Sequence, residues 1–234
     1  MSDLSRLLAE IAAQLAPHGL HSRGVARFDR GAGAPVLADG GKAHTVLLIG
    51  NVGGSLWRAF SEWRETQPDR GGAHPLDRWS KQRIGALATM TGGTAYYPSD
   101  PPYQPFQRWA IMAEGLKASP LGILIHPAYG LWHGYRGALG FAETLPEGAL
   151  DSPPNAHPCE SCRTKACLNA CPAGAVTAAH FDVAACRQEL LGDAGHSACM
   201  HAGCLARAAC PVGAQFCYPE GQLRFHMEAL GPPS

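Results

Sequence analysis

The stretch CESCRTKACLNACPAGA, which begins at residue 159, constrains this chain more than any other feature. The first 158 residues contain no cysteine, and all nine cysteines (159, 162, 167, 171, 186, 199, 204, 210 and 217) then fall within 59 residues. Within that region CPAGAVT (171–177) and CPVGAQF (210–216) are near-copies of each other, an internal repeat centred on Cys-Pro. Bacterial-type ferredoxins use C-x2-C-x2-C-x3-C-P, in which three cysteines bind one cubane cluster and the fourth, before proline, binds the other. Cys159, Cys162, Cys167 and Cys171-Pro172 follow this pattern with four residues, not two, between the second and third. The second half, Cys199, Cys204 and Cys210-Pro211, is spaced x4 and x5, with Cys186 between the halves.

Each iron of a [4Fe–4S] cube takes one soft thiolate, so two cubes need eight ligands. A crossed assignment follows. Cys159, Cys162, Cys167 and Cys210 hold one cluster, and Cys171, Cys186, Cys199 and Cys204 hold the other, leaving Cys217 spare. A single cluster with the other cysteines structural remains an alternative. Structural zinc is the simpler competitor, but four-cysteine zinc sites usually come as two separated C-x2-C knuckles and leave the Cys-Pro repeat unexplained.

The N-terminus, MSDLSRLLAEIAAQLAPHG, interrupts its apolar residues with Arg6 and Glu10, spaced as on one helix face, and does not read as a secretory signal. No apolar run approaches the roughly 18–20 residues of a membrane span. The expectation is a soluble cytoplasmic protein with no membrane partner, and a reducing compartment disfavours disulfides. Hydrophobic residues make up 46% and charged residues 16%, a globular composition, and the net charge is zero. That balance favours neither nucleic acid nor an anionic membrane.

Asp3 reads as the cap of a first helix whose apolar stripe is Leu4, Leu7, Leu8, Ile11 and Leu15. Strands are expected at SRGVARF (22–28) and HTVLLIGN (44–51), and helices at SLWRAFSEW (55–63) and PLDRWSKQRIGALATM (75–90), the second opened by Pro75. Asp77 belongs in the first turn of that helix, where a carboxylate suits the dipole. A strand at TAYYP, a helix over roughly 106 to 117, and strands at GILIH (122–126) and YRGALGFA (135–142) complete the order α-β-β-α-α-β-α-β-β. This is an α+β sheet domain over 1–150. The linker LPEGALDSPPNAHP (145–158) leads to a small iron–sulfur domain over 151–234. In the segment HPAYGLWHGYRG (126–137), Tyr129, Trp132, Tyr135 and Arg136 stand close together beside glycines and could cover a flat macrocycle. They could equally be core aromatics at a turn with an arginine paired at the surface.

The stretch DPPYQPFQRWAIMAEGLKASPLGILIHPAYGLWHGYRGALGF (100–141) resembles the central segment of the epoxyqueuosine reductases, which use cobalamin and two [4Fe–4S] clusters and are related to the reductive dehalogenases. It is also similar to the chaperones that remove the upper ligand of vitamin B12. The resemblance continues through CPAGAVTAAHFDVAACRQEL (171–190) to an isolated fifth cysteine, Cys186, and covers about two thirds of the chain. It implies a nitroreductase-like sheet domain with the corrinoid laid against the sheet, followed by a small bacterial-ferredoxin-like domain. It also implies a catalytic acid at Asp100, ten residues before Ala110. His126 and His133 could ligate cobalt from below, but the redox members of this superfamily hold cobalamin without a protein ligand, and a lone histidine is more often structural.

Gln104, Pro105 and Phe106 stand where that family carries a glutamate, and GLKASPLG (115–122) replaces its glycine-rich segment. These departures and the neutral charge argue against a tRNA substrate. The expected activity is that of a cobalamin-dependent or cobalamin-processing reductase. Its partners would be a corrinoid or small-molecule substrate and an external donor such as reduced flavodoxin, ferredoxin or a reductase. The rival is a ferredoxin-type carrier with an N-terminal docking domain and no corrinoid. A flavin in the first domain lacks a G-x-G-x-x-G signature to support it.

Overall fold

The computed structural model describes residues 3–29, 32–145, 150, 157–193, 195 and 198–230. The linker expected at 145–158 lies mostly outside these residues. The chain forms two compact units, and they do not divide at residue 150. One comprises Met1–Gly115 and Gly134–Asn155, the other Leu116–His133 and Ala156–Ser234.

The first unit is built on a four-stranded sheet in the order β1-β2-β6-β3, where β1 is His21–Arg27, β2 Thr45–Val52, β3 Thr94–Tyr96 and β6 His133–Phe141. β1 pairs antiparallel with β2 and β3 antiparallel with β6, with an irregularity in register between Ser22 and Val25. The apolar run in β2 predicts burial on both faces. The structure agrees: Val46, Leu47, Leu48 and Ile49 are completely buried.

Four helices cover the sheet: α1 (Asp3–Leu15), α2 (Trp57–Thr66), α3 (Pro75–Thr91) and α4 (Phe106–Glu114). α1 buries Ile11 and Leu15, spaced i and i+4 on one face. α2 contributes Phe60, and α3 contributes Trp79, Ile84 and Leu87. The rings of Phe60 and Trp79 meet edge-on at 5.9 Å, and Trp109 of α4 packs on Phe106 at 5.1 Å and Tyr96 at 5.6 Å. Fully burying side chains of this size stabilises the fold by about 1.5–3 kcal/mol each relative to exposure.

α1 begins at Asp3 itself, one position earlier than a cap at that residue implies. α4 ends three residues short of the expected 117, because Gly115 turns left-handed (φ 64°) and donates its N–H to the Ile111 carbonyl at 3.0 Å.

The second unit carries little sheet. β4 (Lys117–Ala118) and β5 (Leu124–Ile125) form an antiparallel ladder, so the strand expected over 122–126 is only two residues long. Two helices of nine residues, α5 (Val183–Leu191) and α6 (Glu220–Glu228), are joined by single turns at Pro158–Ser161, Cys199–Ala202 and Leu205–Ala208. Asp182 caps α5 by accepting the Ala185 N–H at 3.0 Å. Leu116–His133 belongs here because Leu121, Ile125 and Leu131 form one apolar core with Val176 and Ala206, against which five of the cysteines pack. Among the described residues, no helix is long and apolar enough to cross a membrane.

Candidate functional site

The two Cys-Pro repeats of the second unit have matching backbones. In each, the glycine three residues after the cysteine is left-handed, Gly174 at φ 60° and Gly213 at φ 71°. In the first, Gly174 donates its N–H to the Cys171 carbonyl at 3.0 Å, and in the second Gly213 leads into a single 3-10 turn at Ala214–Phe216; glycine adopts the left-handed conformation without steric cost.

These turns bring distant cysteines together. Cys171, Cys186, Cys199 and Cys204 line a single, predominantly apolar cavity of about 230 Å³, walled by Phe181, Leu190, Leu223 and Met227 among others. The thiol of Cys186 lies within electrostatic reach of Cys204, Cys171 and Cys199. In the same way Cys159 feels Cys210, Cys167 and Cys162. Cys171, Cys186, Cys199 and Cys204 thus share one cavity, and Cys217 is exposed and does not line it. All nine cysteines are free thiols. Among the described residues, no three His, Cys, Asp or Glu side chains converge closely enough for one metal ion.

Burial pushes the thiols of Cys159, Cys186, Cys199, Cys204 and Cys210 above the usual cysteine range. Backbone N–H groups pull the other way. Arg207 and Ala206 donate toward the Cys204 sulfur, Leu205 toward Cys199 and Val212 toward Cys210. At Cys162 the amides of Lys165 and Thr164, with the Thr164 hydroxyl at 3.8 Å, hold the thiol below the usual range. Buried sulfurs that receive amide N–H groups are suited to carrying negative charge, the state in which a thiol binds a soft metal.

The aromatic residues of 126–137 are divided. Tyr129 and Trp132 belong to the second unit, Tyr135 and Arg136 to the first. Trp132 is buried, with the Arg207 guanidinium 4.4 Å from its ring centre and Tyr218 5.3 Å away. Tyr129 stacks on His126 at 4.1 Å and meets Phe216 edge-on at 5.1 Å. His126 is a structural residue: its Nδ1 accepts the N–H groups of Ala128 (3.0 Å) and Tyr129 (3.2 Å). The Nε2 of His133 bonds the Leu124 carbonyl at 3.2 Å.

Tyr135 belongs to a buried polar group that periodicity does not reveal. Arg23 Nη2 donates to Glu114 Oε2 at 2.9 Å, with both side chains 4% exposed or less. Arg23 Nη1 donates to the Asn51 carbonyl at 3.0 Å, and the guanidinium lies 5.4 Å from the Tyr135 ring centre. Burial, followed by the charge of Glu114, drives the Tyr135 hydroxyl far above its ordinary pKa, so it stays protonated. Arg136 Nε donates to the Tyr135 carbonyl at 3.0 Å.

Asp100 lines an open cleft in the first unit with His74, Asp77, Arg78, Lys81, Gln82 and Ser99. Its Oδ1 accepts from Lys81 Nζ at 2.5 Å, and both side chains are more than a third exposed. Lys81 also lies 5.7 Å from the Tyr97 ring centre. Burial, then the Asp100 charge, raises the Tyr97 hydroxyl. Lys81 is the partner that the sequence did not disclose. Nineteen positions separate it from Asp100 and no motif joins them.

The first unit, an antiparallel sheet under packed helices, defines an α+β fold. No protein-family model matches the chain, and no curated protein matches it in sequence. The structure is similar to the crystal structure of the C. elegans B12-trafficking protein CblC, a homologue of human MMACHC. The TM-score is 0.50, the identity 14%, and the likeness covers 95% of this chain and 91% of that one.

Proposed function

We propose that this chain handles a corrinoid and carries two [4Fe–4S] clusters, acting as a cobalamin-dependent or cobalamin-processing reductase in the cytoplasm. One observation carries the cluster half of this reading: four cysteines spread over residues 171–204 line one apolar cavity in the second unit. Thiols placed around a volume, each capping its own iron, suit a cubane. A tetrahedral zinc would draw its four sulfurs to within about 3.8 Å of one another. The second foursome, Cys159, Cys162, Cys167 and Cys210, follows from the crossed pairing that ferredoxin-type sequences use, and the other three lie near enough to Cys159 for their charges to act on its thiol. The corrinoid half draws on the likeness to a B12-trafficking protein and on the sequence resemblance over residues 100–141.

Bound there, the clusters would supply single electrons at low potential, as reduction of a corrinoid's cobalt demands. The chain's own residues then have definite tasks. The amide N–H groups of Leu205, Ala206, Arg207 and Val212 stabilise thiolate charge. The Asp100–Lys81 pair is the proposed proton source at the open cleft: Asp100 relays to substrate a proton taken from the Lys81 ammonium, which is afterwards reprotonated from solvent. In the first unit, Tyr135 and Arg136 are the proposed corrinoid-facing residues. An external donor, such as reduced flavodoxin, ferredoxin or a reductase, supplies the electrons.

Anaerobic titration of the cluster-loaded protein with cobalamin should give a saturable shift of the corrinoid bands near one equivalent. Asp100→Asn should lower turnover by about 10²–10⁴-fold, the usual contribution of a general acid, and leave the corrinoid affinity unchanged. Full turnover in that variant would remove Asp100 from the chemistry. A second reading is favoured by the burial of Trp132 under Arg207 and Tyr218, which leaves that ring committed to the protein's own packing. Under it the chain is an electron carrier with no corrinoid, and the titration shows intact clusters and no shift.

A further inference from the structure

Arg207 has an unusual setting. Its guanidinium carbon lies 4.4 Å from the Trp132 ring centre and 4.5 Å from that of Tyr218. Nη2 donates to the Leu131 carbonyl at 2.5 Å. Nε is buried with no hydrogen-bond partner, and among the described residues no carboxylate pairs with the side chain. The same residue lines the cavity of Cys171, Cys186, Cys199 and Cys204, directs its backbone N–H at the Cys204 sulfur, and lies close enough for its charge to act on that thiol.

A guanidinium stays charged at every relevant pH, and drawing it partly out of water without a counter-ion has a cost. Two aromatic faces and one carbonyl recover part of that cost. They supply no negative charge. Arg207 thus brings a cation to the lining of a cavity that four thiols share, a lining to which Glu189 also contributes a carboxylate. An iron–sulfur cube ligated by four thiolates is anionic, and gains one further negative charge when it accepts an electron.

We propose that Arg207 is the electrostatic counterpart of the cluster held by Cys171, Cys186, Cys199 and Cys204, and that it favours the reduced state of that cluster over the reduced state of the other. This rests on the cluster reading above. A fixed positive charge beside a redox centre stabilises the more negative state and raises its reduction potential, one of the means by which proteins tune such clusters. The foursome with Cys210 has a different cation. Lys165 Nζ donates to the Cys159 carbonyl, and that ammonium is a compact charge on a flexible stem with, among the described residues, no aromatic clamp like the one that holds the guanidinium between Trp132 and Tyr218. An electron arriving at the Cys159 set is thereby drawn toward the Cys204 set. Arg207 is a positioning residue in this scheme, acting on charge and touching no substrate.

The test is an EPR-monitored redox titration of the reconstituted full-length chain with parallel iron and acid-labile sulfide analysis. Arg207→Gln should lower the midpoint potential of one of the two clusters, leave the other in place and retain full iron. Arg207→Lys, which keeps the charge, should sit much nearer the parent potential. If both midpoints stay where they were in Arg207→Gln with iron intact, the inference is overturned and the cluster reading stands. An equal shift in the Gln and Lys variants also overturns it, because packing and not charge would then be the cause. If the parent chain takes up no iron or sulfide, the cluster reading fails and the inference fails with it.

Discussion

Replacing Cys204 with alanine should halve the iron and acid-labile sulfide of the anaerobically reconstituted protein, from about eight of each per chain to about four. Cys204 is the cysteine on which the second set converges. It packs against both apolar cores of the second unit and receives the N–H groups of Ala206 and Arg207. Its loss leaves one corner of the cavity without a ligand and the Cys159 set untouched. Cys217→Ser is the matched control, since that thiol is exposed and outside both sets, and it should retain all eight irons. Full iron in Cys204→Ala, or a loss of half in Cys217→Ser, would refute the crossed assignment.

The second large effect is on stability. Glu114→Leu should cost the first unit about 3–5 kcal/mol, because it leaves the Arg23 guanidinium buried without its counter-charge. Glu114 is 2% exposed and Arg23 4%, so water cannot readily take the carboxylate's place. The double variant Arg23→Met/Glu114→Leu should recover most of the loss, since an apolar pair of similar volume avoids the desolvation of both ions. Urea unfolding of both variants provides the measurement. A single variant within about 1 kcal/mol of the parent would show that Arg23 finds another partner on losing Glu114.

Several elements were legible in the sequence because local chemistry determines them. β2 is an unbroken apolar run buried on both faces, and Pro75 sits at the first turn of α3, where its missing N–H is harmless. The spacing of the cysteines is what pairs Cys171, Cys186, Cys199 and Cys204 in the sequence, and these four line one cavity. Other features were hidden because they depend on which core a segment joins. Ile125 read as a strand residue of the first domain, and Leu121 and Leu131 fell within that domain by position, yet all three build the core of the second unit. Hydrophobicity records that a residue will be buried but not against what. The Arg23–Glu114 pair spans 91 positions and Arg207–Leu131 spans 76, so no local pattern could announce either. The sequence left Trp132 open between a macrocycle wall and a core aromatic; its ring packs against a guanidinium and a tyrosine from the C-terminal region.

The division of the chain also bears on how the protein is made. The core under the cysteines draws on Leu121, Ile125 and Leu131, which emerge from the ribosome well before the cysteines they pack beside. Leu131 precedes Arg207, whose side chain it accepts, by 76 residues. At roughly 5–20 residues per second, the ribosome needs about 4–15 s to deliver the second after the first. For that interval an apolar segment from the middle of the chain waits without its partners, exposed to chaperones and to neighbouring chains. Grafting residues 151–234 onto another protein would leave the same floor behind. The cysteine region is therefore not a portable cassette.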